Sequence, residues 1–304
     1  MSETALPVAL FVYRRHDLLP RTLECLREAG VDALYVFSDG PPDEAASTDV
    51  QRVRERIAAI DWITPVLVAR ERNLGLSESI RTGLDWLFER HDWAIVVEDD
   101  ICVAPEFTAY ARQALEHYRD APAVAGLTGL RYPFSRRAFA GYPYDVFQSP
   151  RFSSWGWATW GDRWRAFRFD AAELRRKIEA STSFHPERAG ADVPGMIEAA
   201  VVNETLHGSW DVVCNTNMLL RGQYFVTPTW NMIENTGLAR GTHSDRPPPW
   251  ELHWESQHRP AGEIRFAPVE ESEAVLAAYR RFFRRRRLRE VTELVRLRAG
   301  RAFR

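Results

Sequence analysis

Three carboxylates in a row follow an apolar segment in the stretch AIVVEDD, which ends at Asp100. Adjacent like charges repel one another and raise each other's pKa unless a cation or several hydrogen-bond donors compensate them. Oxygen ligands of this kind select Mg²⁺ or Mn²⁺, which commonly bridge protein carboxylates to substrate phosphates. A solvated acidic turn is the alternative, and the spacing of Glu98, Asp99 and Asp100 does not by itself decide between the two.

Four further polar residues are candidates for contacts with a nucleotide. Arg15 can grip a phosphate with its planar guanidinium, and Asp39 can accept a hydrogen bond from a base or a ribose hydroxyl. Asn73 and Arg81 are candidates for the same ligand. Each residue also has an ordinary interpretation, because Arg15 and Arg81 can be solvated surface side chains, whereas Asp39 and Asn73 stand near glycines and can form turns.

The segments that must position these side chains alternate between apolar runs and helical patterns. The sequence predicts strands at residues 6–15, 33–42, 64–75 and 93–100, with further strands near 123–130 and 223–237. This alternation predicts a parallel α/β sheet. Ligands bind beyond the carboxyl ends of strands in such sheets, and the polar candidates all fall there.

The second half of the chain carries aromatic and polar candidates. Four tryptophans lie within ten residues, and they can either stack on the faces of sugar rings or pack in the core; they are Trp155, Trp157, Trp160 and Trp164. Asp211 follows Trp210 directly before a predicted helix, where the ordinary role of an aspartate is to cap the helix. Thr242 and His243 stand on a Pro-rich loop, where a lone histidine is usually solvated but is also the commonest type of metal ligand.

The cysteines and the N-terminus predict a cytoplasmic protein. Three cysteines are an odd number without metal-ligand spacing, so neither a disulfide framework nor a zinc site is expected. The N-terminal stretch MSETALPVALFVYRRHDLL has no basic n-region, and its apolar run of about seven residues is too short for a signal peptide or a membrane span.

The C-terminal residues 279–304 form a separate electrostatic segment. Residues 280–304 hold eleven arginines against Glu290 and Glu293, a local charge of +9, although the whole chain carries −2. On a helix this segment has an apolar stripe flanked by positive charge, which is typical of an interfacial membrane helix. A nucleic-acid patch and a helix packed on the domain are the alternatives. The interpretation as an interfacial membrane helix predicts peripheral contact with an anionic membrane, on the inner face of the cytoplasmic membrane.

Taken in order, these motifs resemble those of GT-A fold glycosyltransferases, most closely the N-acetylglucosaminyltransferase I type and bacterial family 2-like enzymes. The resemblance covers roughly residues 7–245 and includes VVEDDICVAPEF, the Arg and Asp that end the first two strands, Gly156 with Trp157, Trp210 with Asp211, and Thr242 with His243. It implies an α/β fold of the GT-A (Rossmann-like) type, with a mixed, mostly parallel sheet flanked by helices and a C-terminal basic amphipathic helix. It also implies a glycosyltransferase domain over residues 1–278, with a nucleotide-sugar half (1–130) and an acceptor half (131–278), followed by the basic tail.

The resemblance also implies roles for individual residues. Asp100 would coordinate Mn²⁺ (or Mg²⁺) on the donor diphosphate, with His243 as a further candidate ligand. Glu98 and Asp99 would contact the ribose and the sugar of the donor, and Asp39 would contact its uracil. Arg15 would contact the nucleotide or its phosphate, and Thr242 would lie on a loop that closes over the donor. Asp211 would be the catalytic base.

The sequence therefore predicts a metal-dependent, inverting glycosyltransferase. It would move a hexosyl or N-acetylhexosaminyl group from a nucleoside-diphosphate sugar, most simply a UDP-sugar, to a glycan or lipid-linked acceptor. The reaction would belong to bacterial surface polysaccharide or lipopolysaccharide synthesis, and no nucleic-acid partner is expected. One alternative is a nucleotidyltransferase, which needs a glycine-rich phosphate loop after the first strand, where VYRRHDLLP has no glycine. The other is a non-catalytic carbohydrate- or membrane-binding module.

Overall fold

A computed structural model describes residues 5–202, 209–237 and 263–284. The strands are β1 (Val8–Val12), β2 (Leu34–Ser38), β3 (Val66–Ala69), β4 (Trp93–Glu98), β5 (Ile101–Val103), β6 (Val124–Thr128), β7 (Val146–Ser149), β8 (Trp157–Trp160), β9 (Tyr224–Pro228) and β10 (Ile233–Asn235). The helices are α1 (Leu19–Glu28), α2 (Glu44–Ala58), α3 (Leu76–Phe88), α4 (Phe107–His117), α5 (Gly161–Ala166), α6 (Ala171–Ala180), α7 (Val193–Ile197) and α8 (Trp210–Leu220). Residues 273–284 are also helical and are called α9.

An eight-stranded sheet in the order β3-β2-β1-β4-β8-β6-β9-β7 forms the centre of the fold, and β10 pairs with β5 in a second, two-stranded sheet. The strands β3, β2, β1 and β4 run parallel, β8 is antiparallel to both of its neighbours, β6 and β9 are parallel, and β7 is antiparallel to β9. The predicted mixed, mostly parallel sheet flanked by helices is therefore confirmed. The parallel order puts the carboxyl ends of β1, β2, β3 and β4 at one edge.

The helix α3 shows why this half of the chain folds as its sequence predicts. Ile80, Leu84 and Leu87 recur at helical spacing, and all three are fully buried. Gly83 lies on the same face, where an added Cβ would overlap the ring of Phe11 on β1. The glycine therefore lets the helix approach the sheet closely, and this packing fixes the loop that enters α3 at the carboxyl edge.

The tryptophan-rich stretch proves to be mainly a core element. Trp157 and Trp160 lie on β8, and they are buried together with Trp164 on α5. Trp155, which directly precedes β8, is partly exposed. Of the four residues considered for sugar stacking, the structure therefore leaves Trp155 accessible and uses the other three for packing.

The expectation that the cysteines form no disulfide is wrong in this structure. Cys25 on α1 is bonded to Cys102 on β5, with a Cα–Cα distance of 5.6 Å that lies within the usual range. The two residues are 77 positions apart, and they meet only because α1 packs against β5. Sequence spacing could not reveal that contact. The third cysteine, Cys214, is free and buried.

The first turns of the predicted C-terminal tail pack on the domain. Tyr279 and Phe283 on α9 are buried in an aromatic cluster with Phe134 and Phe147. Residues 285–304, which carry most of the arginines, lie outside the described residues. Within the part of the chain that the structure describes, no helix is long and apolar enough to cross a membrane.

We predict that Phe283→Ala lowers the free energy of unfolding by about 3–5 kcal/mol, because it opens a cavity at a side chain that is 0% exposed. Phe282→Ala is the matched control, since Phe282 is only partly buried beside the same cluster, and its effect should be clearly smaller. Urea denaturation of both variants gives the comparison. Equal and small losses would mean that α9 does not belong to the folded domain.

Candidate functional site at the carboxyl edge of the sheet

The acidic cluster begins where β4 leaves the core. Glu98 is the last residue of the buried strand, and Asp99 and Asp100 form the turn into β5. The backbone N–H of Tyr13 donates to Asp99 Oδ2 at 3.0 Å, and Thr22 Oγ1 donates to the Asp99 carbonyl at 2.9 Å. These two bonds tie the acidic turn to the segment that follows β1.

The cluster is short of positive charge. Burial raises the pKa of Glu98 well above its usual range, and the charges of Asp100, Asp99 and Asp211 raise it further, against the opposing charge of Arg15. Burial likewise raises the pKa of Asp99 to about 7. The pKa of Asp100 is also raised by burial, although Arg15 forms an ion pair with it and opposes the shift. A cation placed beside these carboxylates would therefore stabilise their ionised forms.

The chain returns to this edge through β10. Asn235 pairs with Ile101, and the N–H of Thr236 donates to the Asp100 carbonyl at 2.8 Å. Gly237 then lies so close to Arg15 and Asp100 that a Cβ atom would overlap both side chains. The next residues, 238–262, include the predicted Thr242 and His243 and lie outside the described residues, so the roles of these two remain predictions.

Asp39 is at the predicted edge but is fully engaged by its own loop. Its Oδ1 accepts from the N–H groups of Gly40 and Leu74, both at 2.9 Å, and its Oδ2 accepts from Asn73 Nδ2 at 3.0 Å and from the Gly75 N–H at 3.1 Å. A carboxylate offers about four lone-pair sites, and all are used. Asp39 and Asn73 therefore shape the loop between β3 and α3, and their nucleotide contacts remain predictions.

Arg81 lies on the surface of α3. It forms ion pairs with Glu78 and, at 3.2 Å, with Asp85, one helical turn to either side. Residues of the same helix therefore pair the charge of the Arg81 guanidinium. A contact between Arg81 and a nucleotide remains a prediction, and it would require this surface network to open.

The strand β9 runs parallel to β6, and both run in the same direction as β4. Because α8 ends just before β9 begins, the first turn of α8, with Asp211, lies toward the carboxyl edge. The helix begins at Trp210, so Asp211 lies in its first turn, where the helix dipole favours a carboxylate. Asp211 lines a cavity of about 190 Å³. Its charge also reaches Glu98, whose pKa it raises. Asp211 therefore connects this cavity with the acidic cluster.

The wall opposite α8 is the segment that leads into β8. Because β8 runs antiparallel to β4, with Trp157 opposite Val96, its entry lies at the acidic edge. Gly156 makes that entry with a φ of +55°, in a position where a Cβ would overlap Ile233. The remaining residues that line the cavity are Leu130, Tyr132, Arg151, Phe152, Ser153, Ser154, Trp155, Val193, Met196, Val212 and Asn215.

Sequence reasoning missed Ser153 and Asn215 in this cavity. Asn215, Thr216 and Asn217 interrupt an otherwise apolar helix, and all three are buried. A run of buried polar residues within α8 was the available signal. The serine gave no comparable signal, because its place beside the helix depends on the path of the chain before β8.

In the part of the chain that the structure describes, no group of three or more His, Cys, Asp or Glu residues could hold a metal ion by itself. A divalent cation at the acidic edge would therefore need additional ligands. Mg²⁺ and similar ions commonly bind through one or two carboxylates and complete their coordination with substrate phosphates and water. Glu98 and Asp100, both partly exposed, can supply such a partial set.

A scan against protein-family models gives no match, and a search of curated proteins gives none. Among solved structures, the mannosyltransferase PcManGT from Pyrobaculum calidifontis, in complex with GDP-Man and Mn²⁺, is similar with a TM-score of 0.43 and 15% identity, over 75% of this chain and 55% of that one. TarS 1-349 from S. aureus is similar with a TM-score of 0.43 and 11% identity, over 76% of this chain and 60% of that one. The chain spans little more than half the length of these two neighbours, and neither singles out the N-acetylglucosaminyltransferase I type. Function has to be argued from the residues of the chain itself.

We predict that Glu98→Gln stabilises the protein at alkaline pH in EDTA. Folded Glu98 keeps its proton to a higher pH than the unfolded chain does, so the unfolding free energy of the wild type falls as pH rises through the raised pKa. Glutamine stays neutral, and the variant should gain roughly 1–3 kcal/mol at high pH, with the difference shrinking toward pH 4.

Urea denaturation across this pH range measures the effect. Glu89→Gln is the control, because Glu89 is exposed directly after α3, and its stability should stay within about 0.5 kcal/mol of the wild type. A Glu98→Gln variant that is less stable than the wild type at every pH would show that the charge of Glu98 is compensated.

Proposed function

We propose that the protein is a metal-dependent glycosyltransferase that uses a nucleoside-diphosphate sugar. The observation that carries the proposal is the position of Asp211, which lines the cavity and also acts electrostatically on Glu98. A base candidate at the junction of an acidic edge and a separate cavity is the arrangement that transfer between two substrates needs. The sheet supports it, because ligands bind beyond the carboxyl ends of such strands.

In this proposal the two halves of the chain divide the work. The strands β1 to β4 lie in the nucleotide-sugar half (1–130), and they present Arg15 and the acidic turn to the donor. The acceptor half (131–278) supplies the entry to β8 and the first turn of α8. The donor is most simply a UDP-sugar, and the acceptor a glycan or lipid-linked sugar of a bacterial surface polysaccharide or lipopolysaccharide.

The residues at the acidic edge fit a divalent cation. Glu98 and Asp100 have raised pKa values and are partly exposed there, and carboxylate oxygen atoms are the ligands that Mn²⁺ and Mg²⁺ prefer. Asp100, with Glu98 beside it, would hold the ion. When bound, it would supply charge stabilisation to the diphosphate leaving group.

Asp211 then has the role of general base. The acceptor hydroxyl must lose its proton as it attacks the anomeric carbon, and a carboxylate within hydrogen-bond reach can accept that proton, worth typically ~10²–10⁴-fold in rate. A single attack from the face opposite the leaving group inverts the anomeric configuration. Arg15, paired with Asp100, would face the phosphate groups and limit the repulsion between them and the carboxylates.

The test is a thermal-shift panel of UDP- and GDP-sugars with and without Mn²⁺, followed by transfer assays on Asp211→Asn. We expect one nucleotide sugar to raise the melting temperature only together with the metal. We expect Asp211→Asn to keep that shift and to lose at least about 100-fold in transfer, because the base is absent. No stabilisation by any member of the panel, or near-normal transfer by the variant, would count against the proposal.

We also propose that residues 285–304 contact anionic membrane surfaces. The support is compositional, since clustered arginines flank apolar residues there and each basic residue near an anionic surface adds about 1 kcal/mol of attraction. Because Tyr279 and Phe283 belong to the core, the informative truncation is 1–284. Full-length protein should pellet with vesicles that contain anionic lipid, and the 1–284 form should not; equal pelleting would exclude this role.

A further inference from the structure

The cavity beside Asp211 contains two buried polar groups that no residue in the described part of the chain satisfies. Ser153 is 5% exposed and Asn215 is 6% exposed. Ser153 Oγ and Asn215 Nδ2 have no hydrogen-bond partner among the residues that the structure describes, and both residues line the cavity. Buried polar groups without partners are rare, and each costs about 1–3 kcal/mol. A ligand that supplies oxygen atoms to both groups would remove this cost.

The orientation of the Asn215 amide is fixed. Its Oδ1 accepts from the backbone N–H of Phe152 at 2.6 Å, so the opposite flip would set two donors against each other. The amide NH₂ is therefore the group left for the cavity. A donor of this kind selects a hydroxyl or carbonyl oxygen of the ligand, and the hydroxyl of Ser153 can donate or accept beside it.

The charges around the cavity favour a neutral ligand. Arg151 lines it, but its two terminal nitrogens bind Asp192 at 2.9 and 3.0 Å, and one of them also donates to the Ala189 carbonyl at 3.2 Å. Its positive charge is therefore already paired within the protein. Among the described residues that line the cavity, the other charged side chain is Asp211, which repels an anion. From these residues a ligand with a carboxylate or phosphate would gain no countercharge for the hydration that it loses.

The shape and remaining walls suit a single sugar ring. The volume of about 190 Å³ lies below the ~300 Å³ at which pockets for drug-sized ligands begin. Trp155 is partly exposed in the lining, and its indole face can pack against the C–H face of a ring. Apolar side chains of α7 and α8, including Val193 and Val212, complete the wall.

We propose that Ser153 and Asn215 are acceptor-specificity residues, which select a neutral sugar ring by donating hydrogen bonds to its hydroxyl or amide oxygens, while the negative charge of Asp211 disfavours acidic sugars. This inference rests on the proposed function, because it takes the cavity beside Asp211 as the acceptor site. It goes further by naming the chemical class of the acceptor and the two side chains that recognise it.

The test uses p-nitrophenyl glycosides as probes, with neutral hexosides and N-acetylhexosaminides compared with the glucuronide, and saturation-transfer-difference NMR as the readout. The wild type should bind at least one neutral glycoside and should bind the glucuronide at least 10-fold more weakly. Ser153→Ala removes one hydroxyl, and Asn215→Asp keeps the acceptor for the Phe152 N–H but replaces the free donor. Each variant should weaken binding of the neutral glycoside about 10-fold.

Thr216→Val is the matched control, because Thr216 is buried on the same helix and its hydroxyl donates to the Val212 carbonyl at 2.8 Å. It should leave glycoside binding unchanged. Melting temperatures of all variants exclude unfolding as the cause of a loss, and the Ser153→Ala result stands if the buried charge of Asn215→Asp unfolds the chain.

Unchanged glycoside binding in Ser153→Ala and in folded Asn215→Asp, a preference for the glucuronide, or no binding of any neutral glycoside by the wild type would each overturn the inference. The Mn²⁺-dependent thermal shift with nucleotide sugars, measured on the same samples, separates this failure from failure of the proposed function. If that shift persists while the glycoside results fail, only the assignment of Ser153 and Asn215 is lost. If the shift is absent as well, the transferase proposal itself fails.

Discussion

The ion pair between Arg15 and Asp100 is the contact around which the carboxyl edge is organised. It joins the chain after β1 to the chain after β4, and Gly237 lies against both side chains. One guanidinium cannot neutralise Glu98, Asp99 and Asp100 together, and burial raises the pKa of all three carboxyl groups. The fold therefore crowds together carboxyl groups whose ionisation would weaken its stability, which is characteristic of a site that binds a cation or a ligand.

The strand β8 divides this edge into two regions. It enters the sheet between β4 and β6 in the reverse direction, so its leading segment reaches the edge where β4 ends. On one side of it lie the acidic turn and the loops that follow the parallel strands. On the other side lie the cavity and the first turn of α8. Asp211 belongs to the second region, but its charge acts on Glu98 in the first, so the two regions can cooperate in one reaction.

Much of the first region could be predicted from sequence, because it depends on local patterns. The apolar spacing of Ile80, Leu84 and Leu87 identified a helix, and an apolar run ending in carboxylates identified a strand that leaves the core at a ligand edge. The second region depends on contacts between distant segments. Tryptophans suited to ligand stacking form β8 and the core instead. Cys25 contacts Cys102 only through the packing of α1 on β5. The free donor of Asn215 is identified only by the hydrogen bond that its oxygen accepts from Phe152. Asp39 shows a third case, since a carboxylate at the predicted place has all its acceptor sites occupied by its own loop.

The central claim is that the acidic edge binds a divalent cation jointly with a nucleoside diphosphate. Electron paramagnetic resonance of free Mn²⁺ tests it directly, in titrations of the protein with UDP or GDP and of the nucleotide alone. The account predicts that protein and nucleotide together remove more Mn²⁺ from solution than the two measured separately. It also predicts that Asp100→Asn abolishes the excess, whereas Asp162→Asn, an equal charge change at an exposed aspartate that is also paired with an arginine, keeps it. An equal concentration of free Mn²⁺ in titrations of the wild type and of Asp100→Asn, with either nucleotide, would contradict the account.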